Sequence, residues 1–104
     1  MTGKPTPLQV LLHAPTPKAL RRAISNARNL QRLEPVAHIE IVVNGTAAAA
    51  ALDIDDEALK SLLVICQNSL QRQSLELPQD LRVVPAAVLY LALQQSKGWC
   101  YIRA

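Results

Sequence analysis

Two cysteines, two histidines and a short acidic run are the side chains of this 104-residue chain whose types could support chemistry. Cys66 ends the continuous apolar run Leu62–Cys66 and precedes Asn68 and Ser69, residues that start helices well. A sulfur there lies near the free backbone N–H groups of a helix start, and such donors favour thiolate over thiol. The plainer reading is a small buried hydrophobe that finishes a strand. Cys100 lies near the start of the last apolar run, Trp99–Arg103. It is expected to pack, roughly 10 Å from the C-terminal end of a parallel strand at about 3.3 Å per residue. A Cys66–Cys100 bridge, which needs Cα atoms within about 7 Å, does not fit that placement. His13 ends the first apolar run and His38 begins the second, so only His13 falls at the same strand ends as Cys66. It is the candidate base or hydrogen-bond partner there, although a lone histidine at a strand end is more often structural.

No CxxC or Cys/His spacing marks a metal site, and two scattered cysteines are no disulfide framework, so no metal or cofactor is expected. Asp53, Asp55, Asp56 and Glu57 lack the glycine turn and distant glutamate of a calcium loop and read as helix capping. The net charge of +3 is a mild excess. Lys18, Arg21, Arg22, Arg28 and Arg32 form a basic helix face without interleaved aromatics, so a solvated surface is expected and nucleic acid is not. No apolar run is long enough for a secretion signal or a membrane span, which places the expected location in the cytoplasm.

The elements that would position these residues follow from patterning. After a mobile leader, 1–7, the segment 8–104 reads as one domain. Leu8–His13 is a first strand, and Thr16-Pro17 supplies an N-cap and a first-turn proline for a helix to Leu33. Its apolar residues Leu20, Ala23, Ile24, Ala27, Leu30 and Leu33 recur at helical spacing. His38–Val43 is a second strand closing on Asn44-Gly45, and short helical segments fill Thr46 to Leu59. Leu62–Cys66 is a third strand, followed by a short helix capped by Asn68 or Ser69. Leu81–Val84 is a fourth strand, a helix runs from Pro85 to about Gln95, and Trp99–Arg103 is a fifth.

Strand and helix alternate with no hairpin signal, so the expected fold is a three-layer α/β/α domain with a five-stranded, mainly parallel sheet. Parallel strands share one C-terminal rim, which gathers His13, Asn44, Cys66 and Pro85 where open α/β sheets bind ligands. The helix after Pro85 is apolar on every side from Ala86 to Leu93, so a further layer or a second subunit is expected to cover it.

Together these segments resemble the DsrE/DsrF-like family of small sulfur-relay proteins, including its YchN-like members, over nearly the whole chain. The resemblance rests on Asn26-Ala27-Arg28-Asn29-Leu30, Asn44-Gly45, Cys66-Gln67-Asn68-Ser69, Val84-Pro85-Ala86-Ala87-Val88 and the tail Gly98-Trp99-Cys100-Tyr101-Ile102. It implies that Cys66 accepts sulfur as a persulfide and hands it on, exchanging with donor and acceptor proteins. It also implies a pocket of His13, Asn44, Gly45, Asn68 and Ser69, and a homo-oligomer, trimer or hexamer. Gln67 and Ala87 depart from glycines frequent in that family and narrow the backbone freedom beside the thiol. The alternative is a non-catalytic oligomeric module that binds a small ligand or partner and in which Cys66 only packs.

Overall fold

The computed structural model describes residues 7–104, so the expectation of a mobile leader falls, apart from Pro7, outside the described residues. The chain runs β1 (Gln9–Ala14), α1 (Pro17–Leu33), β2 (His38–Val43), α2 (Ala47–Ala51), α3 (Glu57–Lys60), β3 (Leu63–Cys66), α4 (Gln67–Arg72), β4 (Arg82–Val84), α5 (Ala87–Ser96) and β5 (Cys100–Arg103). The five strands form one sheet in the order β4-β3-β2-β1-β5, and every pair is parallel.

Strand order explains strand composition. β1, β2 and β3 are interior and carry the near-continuous apolar runs of strands buried on both faces. The edge strands are short: β5 is exposed along its length, and β4 exposes Arg82 while Val83 and Val84 are half-buried. Cys100 sits in β5 and is exposed, which corrects the expectation that it packs. It pairs in register with Val10, near the strand starts, as its distance from the rim requires.

The route of the chain also sets the layers. From β1 to β4 each strand is added on the same side of the last, so right-handed crossovers put α1, α2 and α4 on one face. There Leu20, Ala23, Ala27, Ala47, Ala48, Ala51 and Leu70 pack on Val10, Leu12, Ile39, Ile41, Val43, Leu63 and Ile65. The chain then reverses to place β5 beside β1, which sends α5 to the opposite face. Ala87, Tyr90 and Leu91 of α5 cover Leu11, Val42, Val64 and Cys66. Thr16 caps α1 by accepting the Ala19 N–H at 3.1 Å, with Pro17 in the first turn. Leu33, expected on the inward face of α1, is exposed beyond the end of the sheet-facing stripe.

Candidate functional site

Strand alternation and chain reversal meet at one place. The period of two puts Leu11, Val42 and Val64 on the α5 face, and the next residues of that set toward the C-terminal rim are His13, Asn44 and Cys66. The loop after β3 enters α4 on one face, whereas the loop after β4 enters α5 on the other. The crevice between these two strand ends is the topological switch point, and Cys66 is its side chain.

Cys66 is itself the N-cap residue of α4, so that helix starts earlier than a cap at Asn68 or Ser69 would have it. Its sulfur accepts the Ala87 N–H at 3.4 Å, the first residue of α5. Two helix starts from opposite faces of the sheet therefore converge on one thiol. Burial pushes the Cys66 thiol up, but this is outweighed by the Ser69 hydroxyl and by the backbone N–H groups of Ala87, Ser69 and Asn68, so its pKa falls below the ordinary value. The Ser69 hydroxyl is oriented from behind by Gly45, whose N–H it accepts at 2.8 Å, which leaves its own proton for the sulfur.

Gly45 is held by geometry that glycine alone tolerates. Its φ is +56°, and a Cβ there would stand 2.7 Å from the Pro15 carbonyl oxygen. The Gln73 side chain clamps the same turn, donating to the carbonyls of Gly45 and Ser69, each at 2.8 Å. The sulfur opens on a cavity of about 310 Å³ bounded by Asn44, Asn68, Ser69, Arg72 and Ala86–Val88. Arg72 brings a cation to its wall and makes no ion pair among the described residues.

His13 is at the rim but in the adjoining cavity, of about 410 Å³, with Tyr101, Gln95, Leu91 and Ala92; Asn44 and Val88 border both spaces. Both ring nitrogens are occupied: Nε2 lies 2.9 Å from Asn44 Oδ1 and Nδ1 lies 2.6 Å from the Tyr101 hydroxyl. His13 is thus a hydrogen-bond partner within the rim and makes no contact with the thiol. A third cavity, of about 430 Å³, lies at the start of α1 beside Thr16, Lys18, Arg22 and Arg103 and carries no nucleophilic thiol.

Asn44, Asn68 and Ser69 line the cavity of Cys66, and Gly45 supports Ser69 from outside it. His38 pairs with Gln9 at the opposite end of the sheet. Within the acidic run Asp56 caps α3, accepting the Leu59 N–H at 3.1 Å, and Glu57 lies in the first turn of that helix. Among the described residues no group of three or more His, Cys, Asp or Glu side chains could hold a metal ion, and no helix is long and apolar enough to cross a membrane. Sequence reasoning missed the Ala87 N–H, Arg72 and Tyr101. Arg72 carried a weak signal, because it stands six residues after Cys66 on the helix that begins there. Tyr101 carried none, because its place depends on β5 pairing with β1.

No family model matches the chain, and no curated protein matches it. Among solved structures it is similar to the protein of unknown function MTH1491 from Methanobacterium thermoautotrophicum, with a TM-score of 0.79 and 24% identity over 93% of this chain and 99% of that one. The likeness shows the shared fold.

Proposed function

We propose that this chain is a persulfide carrier of the kind its resemblance to the DsrE/DsrF-like family implies, with Cys66 as the sulfur-bearing residue. The observation that carries the reading is the convergence of the α4 and α5 starts on the Cys66 sulfur, beside a cavity with room for an incoming group. In the loading step the Cys66 thiolate attacks the outer sulfur of a donor persulfide, R–S–SH. A Cys66–S bond forms, the donor S–S bond breaks, and R–S⁻ leaves with the electron pair while the proton stays on the transferred sulfur. In the unloading step an acceptor thiolate attacks that outer sulfur and the Cys66 thiolate is regenerated. The exchange needs no external oxidant or reductant. Arg72 offers a counter-charge to anionic donors and leaving groups.

The test is exposure of the reduced protein to glutathione persulfide, followed by peptide mass spectrometry and then by an acceptor thiol. One added sulfur on Cys66, lost to the acceptor, is the expected result; an unmodified Cys66 overturns the reading. A thiol that must stay reduced suits the cytoplasm. Val88, at the wall of the site, and Leu89 and Leu93 of the same helix are exposed, which supports self-association through α5. Sedimentation of the wild type and of Leu89→Lys checks it, with a smaller species expected for the variant.

The second reading, a small-ligand module in which Cys66 packs, is favoured by the 5% exposure of Cys66 and by the two adjoining cavities. A Cys66→Ser variant that keeps all cellular activity would select it.

A further inference from the structure

The hydrogen-bond chain Tyr101–His13–Asn44 has a direction. Asn44 Oδ1 can only accept, so His13 Nε2 carries the proton and donates to it across 2.9 Å. In the neutral ring Nδ1 is then an acceptor, and the Tyr101 hydroxyl donates to it across 2.6 Å. With its oxygen taken on the His13 side, the Asn44 amide is left with its NH₂ group, which has no acceptor within the chain among the described residues. Asn44 also borders the cavity that contains Cys66. It is absent from the donors that act on the Cys66 sulfur itself, which are Ser69, Ala87 and Asn68. A second sulfur bonded to Cys66 would stand about 2 Å farther into that cavity.

We propose that the Asn44 amide is the hydrogen-bond donor to the outer, transferable sulfur on Cys66, and that His13 and Tyr101 are positioning residues that fix the amide in its donating orientation. This rests on the persulfide-carrier reading and gives His13 a role other than general base. The outer sulfur of a persulfide has lone pairs that accept hydrogen bonds from neutral N–H groups, and an amide orientation fixed beforehand need not be reached during the transfer.

The experiment measures two quantities on the purified wild type, Asn44→Ala, Asn44→Asp, His13→Ala, Tyr101→Phe and the His13→Ala/Asn44→Ala double variant. One is the pH midpoint of Cys66 alkylation by iodoacetamide; the other is the rate of Cys66 persulfidation by glutathione persulfide. Asn44→Ala is expected to keep the alkylation midpoint and to slow persulfidation about tenfold, the loss of one hydrogen bond to the transferred sulfur. Asn44→Asp retains the acceptor for His13 but lacks the donor, and is expected to be at least as slow. His13→Ala should slow the reaction several-fold alone but not further in the Asn44→Ala background, because it acts through Asn44. Tyr101→Phe, a change at a partly exposed ring, should show the smallest loss. An Asn44→Ala protein that is persulfidated at the wild-type rate, or a His13→Ala effect that persists in full without Asn44, overturns the assignment while the carrier reading stands. A wild type that takes up no sulfur overturns both.

Discussion

The two faces of the sheet solve different problems with the same strands. One face is closed by α1, α2 and α4, whose small and aliphatic residues bury Ile41, Val43 and Ile65 completely. Among the described residues one helix, α5, covers the other, its Ala87, Tyr90 and Leu91 buried while Val88, Leu89 and Leu93 face outward. On the first face β1 and β3 run through short connections into α1 and α4, and the cavity at the start of α1 carries no thiol. On the second the rim remains open, and His13, Asn44 and Cys66 stand in the gap. The difference teaches where this fold separates stability from chemistry: the reversal of the chain after β4 leaves one face thinly covered and brings a second helix start to the thiol.

The contrast between the faces breaks most visibly with a cavity in the thick layer. Ile41→Ala removes a fully buried side chain and is expected to cost about 2–5 kcal/mol in denaturant unfolding, with Cys66 alkylation unchanged while the protein is folded. If that variant altered alkylation as much as stability, the two faces would not be separable. Gly45→Ala comes next, because it links the faces through Pro15 and Ser69. Its left-handed backbone should cost about 1–3 kcal/mol, and loss of the Gly45–Ser69 hydrogen bond should slow alkylation as well.

Two smaller effects sharpen the contrast. Ser69→Ala removes a donor that holds the Cys66 pKa down, so the alkylation midpoint should move to higher pH with little change in thermal unfolding. Tyr90→Phe tests how α5 is fastened to the sheet. The Tyr90 hydroxyl donates to Glu40, which also pairs with Arg82 at 2.9 Å, and the Arg82 guanidinium lies 5.1 Å from the Tyr90 ring centre. Loss of the hydroxyl should cost about 1 kcal/mol. Burial and the neighbouring Glu40 push the Tyr90 phenol up to about 12. Its protonated form is favoured in the folded protein, so this contribution is complete below the unfolded value of about 10 and is lost as pH rises through the folded value. The stability difference between wild type and Tyr90→Phe should therefore shrink across that alkaline window.

Most of the fold was legible because its signals are local. Thr16-Pro17 announces α1, the runs in β1, β2 and β3 mark interior strands, and Cys66 at the end of such a run points to the rim. Strand order was not legible, since alternation of strands and helices does not say where the chain reverses. Three consequences follow. The pattern alone gives Cys100 a packed environment although β5 is an exposed edge; the two helix starts at Cys66 cannot be foreseen together; and Tyr101 cannot be joined to His13. The apolar circumference of α5 is the one local hint that this helix stands alone on its face.

The most direct measurement of thiol activation at the rim sets the two cysteines against each other. Alkylation rates of Cys66 and Cys100, followed by peptide mass spectrometry across pH in the folded wild type, weigh local electrostatics against exposure. Cys66 is buried and Cys100 is exposed, so accessibility alone favours Cys100. Cys66 is nevertheless expected to be alkylated faster at neutral pH, and Ser69→Ala to remove much of that advantage. A Cys66 that reacts only as fast as the protein unfolds, with Cys100 labelled first, would contradict an activated thiol.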